Sequence, residues 1–298
     1  MRQIRGYRDV ASHAAEDVIA QVTAQADRLQ ARLAEVGRVI VIASGKGGVG
    51  KSALTANLAV ALADGAHRVG ALDADLNGPS LARMLGVAGQ PLRVGEQGVQ
   101  PATGCHEVAV VSTDLLLPES APLRWKPPSG SEHNGAPAFV VQSMYEGTVL
   151  RELLGDTAWG RLDYLLIDAP PGTDKLVRLL QLLPSPPITI LVTTPSRMTR
   201  NVVARSATLM RQQGGPCGLV LNMAAQVCEQ CGHHQPLFGT PTTSELEQET
   251  GLEVWASIPF DPRLAETTDS GHPLSIVAPE APAALEIKRL AQRLAAFA

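Results

Sequence analysis

The sequence predicts a doubly wound α/β fold: a mostly parallel sheet flanked by helices, with an extra helix at the N-terminus. Three observations carry this. Short, continuous apolar runs recur along the chain, as in strands buried on both faces. Helical stretches separate many of them. Aromatic residues make up only 3% of a chain that is 45% hydrophobic, so the core is built from Leu, Val, Ile and Ala.

The elements follow in order. Residues 8–36 read as one helix, with Ile19, Val22, Ala26, Leu29, Leu33 and Val36 on a narrow apolar seam. Too few heptads follow one another for a coiled coil, so the helix is expected to dock on its own domain. The strands expected are Val39–Ala43, Val69–Asp73, Val108–Ser112, Tyr164–Asp168, Ile188–Thr194, Gly218–Asn222 and Glu253–Ile258. Lys51–Ala63 and Ser196–Gln213 are the clearest helices between them. Pro118–Pro137 is rich in Pro, Gly and Ser and reads as a loop, as does Ala224–Pro241. The final helix, Ala283–Ala298, places Leu285, Leu290, Leu294 and Phe297 near one face and reads as packed on the sheet. The simplest division is a helical extension over residues 1–37 and one domain over 38–298 that carries the loop at 224–241.

Charge and composition narrow the function. Net charge is -4, from 25 Lys+Arg and 29 Asp+Glu, with no basic block, so nucleic acid is not expected as a partner. No apolar run reaches membrane-spanning length, and the slight basicity of the last helix argues against a membrane-targeting tail. No signal-peptide pattern opens the chain, so a cytoplasmic protein with reduced thiols is expected.

The sharpest motif is Gly45-Lys46-Gly47-Gly48-Val49-Gly50-Lys51-Ser52, which fits G-x-x-x-x-G-K-[ST] in full between a strand and a helix. Backbone N–H groups in such a P-loop point at phosphates, and the helix N-terminus adds its dipole. Lys51 is expected at the β- and γ-phosphates and Ser52 on Mg²⁺, with Ala53 next along the ATP-binding segment. Asp73 and Asp75 follow the second strand, and Asp168 follows Tyr164–Ile167 as a Walker B aspartate does. Three aspartates on strands that flank a P-loop point to metal and water handling rather than to turn residues.

Cys228-Glu229-Gln230-Cys231 supplies two thiolates, whereas a [4Fe–4S] cluster or a structural Zn²⁺ takes four ligands. A two-fold dimer doubles two to four. From the residues alone, cluster, zinc (joined by His233 or His234), a dithiol–disulfide couple and a chance pair all stand open. Cys217, at a strand start, and Cys105, with no partner in sequence, read as structural.

Together these motifs resemble the Mrp/ApbC family of iron–sulfur cluster carrier ATPases, within the deviant Walker A class that includes MinD and ParA. The matching stretches are GKGGVGKS, LDADLNGPS, Asp156–Thr173, Thr193–Pro195, Asn222–Gly239, Ser257–Pro262 and Gly271–Leu274. The resemblance implies a homodimer closed by ATP, with Lys46 reaching the partner's nucleotide. It assigns Asp75 to the attacking water, Asp73 and Asp168 to the Mg²⁺ shell, Asn222 to adenine, and Cys228 with Cys231 to a shared [4Fe–4S] cluster passed to apo-proteins. An ATPase switch of the MinD/ParA kind with zinc at the CxxC is the alternative. The chain departs from the family pattern at Asp174-Lys175, at Arg124–Pro128 and after Pro195, which touches the switch and dimer regions.

Overall fold

A computed structural model describes residues 15–116, 138–196, 200–228, 230–238 and 243–297. The chain runs α1 (Ala15–Leu33), β1 (Val36–Ser44), α2 (Lys51–Asp64), β2 (Val69–Asp73), α3 (Leu81–Met84), β3 (Arg93–Gly95), β4 (Gly98–Gln100), β5 (Ala102–Thr103) and β6 (Ala109–Val111). It continues through α4 (Ala138–Gly155), β7 (Leu162–Asp168), α5 (Thr173–Leu182), β8 (Ile188–Thr193), α6 (Arg200–Gln213), β9 (Cys217–Val227) and β10 (His234–Pro236). It ends with α7 (Thr243–Thr250), β11 (Val254–Phe260), α8 (Pro262–Asp269), α9 (Leu274–Val277) and α10 (Pro282–Ala295).

One sheet takes the order β10-β9-β8-β1-β7-β2-β6-β5, with β11 also on β9. Every pair is parallel except β5 with β6 and β10 with β9. The twofold alternation of strand side chains divides them between two cores. Ile40, Ile42, Tyr164, Leu166, Ile190 and Val192 face one, beneath α2 and α10. Val41, Ala43, Leu165, Ile167 and Leu191 face the other, beneath α1, α4, α5 and α6. Both faces are covered, so the strands are continuously apolar and the doubly wound expectation holds.

Several boundaries differ from the sequence reading. The first helix ends at Leu33; Val36 instead opens β1, paired with Leu162. Residues 8–14 of that expected helix, and the expected loop Pro118–Pro137, lie outside the described residues. Helix α1 docks within its own chain: Leu29 and Leu33 are buried, and Arg28 Nε sits 3.1 Å from Asp156 Oδ1. In α10 the buried face is Ala283, Ala284, Ile287, Leu290, Ala291 and Leu294, and Leu285 is exposed. That helix packs on α2 and β11, as expected. No described helix is long and apolar enough to cross a membrane.

The largest correction is at the expected loop 224–241. β9 runs on past Asn222 to Val227 and turns into β10, giving an antiparallel hairpin with Val227 opposite His234 and Ala225 opposite Pro236. Its sequence lacks apolar alternation because beyond Asn222 the strand is at most partly buried, so no fully buried face selects one.

Candidate nucleotide site and cysteine hairpin

The P-loop leaves the end of β1 and enters α2 through Gly48 and Gly50, both at positive φ (76° and 81°). Gly50 cannot be replaced freely, since an added Cβ would fall on the Asn222 amide. Lys51 is buried, and its Nζ lies 2.5 Å from Asp168 Oδ1. Ser52 Oγ donates to Asp168 Oδ2 at 2.5 Å, and Thr55 Oγ1 donates to Oδ1 at 3.0 Å. The buried Asp168 carboxylate is therefore neutralised by one ammonium and hydrogen-bonded by two hydroxyls, all from the start of α2. Thr55 was not singled out from sequence, although its i+4 spacing from Lys51 puts the two on one face of the helix.

Asp73 is the register partner of Asp168 across β2 and β7. Its Oδ1 accepts from Asp75 N at 3.1 Å, and its Oδ2 from Ser80 N at 2.8 Å and Leu81 N at 2.9 Å. It thus ties loop 75–80 back to the strand end. Burial, then the Asp168 charge, push its pKa up to about 7, against the N–H donors and Lys51. Asp75 is half-buried farther along the loop and accepts from Asn77 N at 3.4 Å. The donor set suits Mg²⁺: the Asp73 and Asp168 carboxylates stand at adjacent strand ends, and the Ser52 hydroxyl at the start of α2 meets Asp168.

Asn222 lies inside β9 rather than at its end, and it is buried. Its Nδ2 donates to Val49 O at 2.8 Å, so in this conformation it holds the P-loop. Met223 follows with φ 56°, and β9 takes four steps, from Asn222 to Gln226, where β11 takes two, from Ile258 to Phe260. This bulge shifts the register of β9 on β11 ahead of the hairpin. Lys46 is exposed and has no hydrogen-bond or ion-pair partner among the described residues.

The hairpin presents Cys228 and Cys231 at its turn, both exposed and neither in a disulfide. Cys228 N donates to His233 O at 2.9 Å, and Gly232 N to Cys228 O at 2.8 Å. Among the described residues no group of three or more His, Cys, Asp or Glu gathers in a metal-binding arrangement. His233 and His234 are exposed on the same hairpin. Cys217 is half-buried against the second core, and half-buried Cys105 donates to Gly271 O at 3.3 Å. Burial raises both of their pKa values, in keeping with inert thiols.

Comparison with known proteins adds to this geometry. A family model described as NUBPL iron-transfer P-loop NTPase matches residues 35–295. An iron–sulfur cluster carrier protein of Saccharolobus solfataricus is 35% identical over 277 residues, covering 92% of this chain and 88% of that protein. The human cytosolic Fe–S cluster assembly factor NUBP2 is 33% identical, covering 88% of this chain and 93% of that protein. Among solved structures, an Archaeoglobus fulgidus nucleotide-binding protein in complex with ADP matches with TM-score 0.68 and 34% identity, over 83% of this chain and 91% of that one. The cell division ATPase MinD of Pyrococcus furiosus matches with TM-score 0.62 and 27% identity, over 88% of this chain and all of that one.

Proposed function

The chain belongs to the NUBPL iron-transfer P-loop NTPase family, and we propose that it is an ATP-hydrolysing carrier that assembles or transfers a [4Fe–4S] cluster to apo-proteins. The observation that carries this reading is the pair of exposed thiols, Cys228 and Cys231, at the tip of a hairpin whose long strand also holds the P-loop through Asn222.

The P-loop and the aspartates beside it support the nucleotide half of this reading. Lys51 moves from Asp168 onto the β- and γ-phosphates of ATP, which the N–H groups of Gly45–Ala53 cradle. Ser52, Asp168 and Asp73 would hold Mg²⁺, which would supply charge neutralisation at the phosphates. Asp75 orients the attacking water, Lys46 reaches the nucleotide of a second copy, and Asn222 exchanges Val49 O for adenine. Water attacks the γ-phosphorus in line, the bond to the β-phosphate oxygen breaks, and ADP and phosphate leave.

The cluster is cargo. One chain offers two thiolates and the cluster has four iron corners, so two copies complete it, with the cluster between them. Exposure of both thiols suits release to an apo-protein. The CxxC pair is compatible with cytoplasm, where thiols stay reduced.

The test is anaerobic reconstitution with iron and sulfide, read by sulfur-to-iron charge-transfer absorption and by activation of an apo iron–sulfur enzyme. Wild type gains the band and activates the enzyme; a Cys228→Ser/Cys231→Ser variant does neither, yet binds ATP normally. Stoichiometric zinc with no band would overturn the carrier reading in favour of a MinD/ParA-like switch.

A further inference from the structure

The loop after β2 and the start of α5 after β7, which follow adjacent strands, are joined by a residue of neither. Glu146, on α4, accepts from Asn77 Nδ2 at 3.2 Å through Oε1, and its Oε2 lies 3.6 Å from Lys175 Nζ. Asn77 belongs to the loop after β2, and its backbone N–H in turn donates to Asp75 Oδ1. Lys175 stands in the first turn of α5, after β7 and Asp168. The start of that helix is held to the P-loop strand, since Gly172 N donates to Ser44 O at 3.3 Å. Glu146 is only 15% exposed and Lys175 37%, so the ion pair is partly sheltered from solvent.

We propose that Glu146 is a positioning residue for ATP hydrolysis: it clamps the Asp75 loop to the start of α5 and so fixes Asp75 relative to the phosphate loop. The proposal rests on the ATPase reading above for its kinetic consequence, but not for its structural one. Glu146 meets Asp75 through Asn77, so it acts on the Asp75 loop through another residue. A misplacement of such a carboxylate by an ångström is felt in the rate of the chemical step rather than in nucleotide affinity. One carboxylate serves the Asp75 loop and the start of α5 through separate oxygens, so removing it releases both at once. The sequence gives no sign of the arrangement, because the three residues lie 69 and 29 positions apart and only the fold brings them together.

Two measurements on the full chain test this. In steady-state hydrolysis, Glu146→Ala lowers kcat by about tenfold while KM for ATP stays within about twofold. Glu146→Gln keeps the Asn77 contact, loses the ion pair and falls between. The exchanged pair Glu146→Lys/Lys175→Glu recovers more activity than the two single changes predict by addition, the Asn77 amide turning to offer its oxygen. In hydrogen exchange, Glu146→Ala speeds exchange of the amides of residues 74–80 and 172–176 together, by about tenfold, with the melting temperature unchanged. Unchanged kcat with unchanged exchange in those two segments overturns the proposal, as does faster exchange confined to α4. If wild type hydrolyses no ATP but the two segments still loosen together, the clamp stands and the ATPase reading is what fails.

Discussion

Lys51 Nζ lies 2.5 Å from Asp168 Oδ1, with both side chains buried at the end of the central strands. Under the proposed function the pair links fold stability to nucleotide binding, because the ammonium proposed to meet the phosphates of ATP is the one that neutralises the buried carboxylate. Lys51→Ala is expected to abolish ATP binding by calorimetry. It also destabilises the protein by about 3 kcal/mol, since a buried charge is left with hydroxyl donors alone. Lys51→Ala/Asp168→Ala recovers part of that stability and none of the binding. ATP affinity surviving in Lys51→Ala would show that the site is misplaced.

Asn222 and Val49 are the second point of control. Asn222→Ala removes the donor to a P-loop carbonyl and is expected to cost about 1–2 kcal/mol in chemical denaturation. Gly50→Ala meets the same amide and carries a left-handed φ as well, so it loses stability and nucleotide affinity together. Normal affinity in Gly50→Ala would mean that the Asn222 contact does not shape the loop.

A stability prediction free of the nucleotide site concerns Gly218. A Cβ there would fall within the Trp255 indole, which packs on Phe297 with ring centroids 5.0 Å apart and lies under the Arg293 guanidinium at 5.5 Å. Gly218→Ala should lower stability by about 1–3 kcal/mol through overpacking. A shift in denaturant midpoint is the readout, and no shift would contradict the close packing.

Glu152 gives a pH dependence. Burial, then the Asp156 charge, raise its pKa from 4.5 to about 7, against Arg28 and Arg151. The folded protein therefore holds this proton more tightly than the unfolded chain, and Glu152 makes stability fall as pH rises from about 4.5 to about 7. Glu152→Gln removes that loss: it should match wild type near pH 4 and exceed it near pH 8 by about 1 kcal/mol, a figure reduced for solvent screening. Thermal melts across that range would settle it; an equal difference at both ends would mean the carboxylate is not perturbed.

Much of the site was legible because its chemistry is local. GKGGVGKS carries its own phosphate-binding geometry in consecutive residues, and Asp73 and Asp168 announce themselves at the ends of apolar runs. The hairpin was not legible. Its strand continues without a fully buried face, so nothing in the hydrophobic pattern marks it, and Met223 adopts a backbone conformation that its residue type does not advertise. Thr55 was findable from helical spacing; Glu146 was not, since its partners come from two other elements.

By itself the sequence determined the doubly wound sheet, the phosphate loop and the cysteine pair, because strand periodicity and motif spacing are short-range properties. Only the tertiary structure decided that Asn222 grips Val49, that Asp73 anchors the loop bearing Asp75, and that Cys228 and Cys231 ride on an extension of the strand that touches the P-loop. Those relations depend on parallel register between strands far apart in the chain, which pleating and packing set and no local pattern encodes.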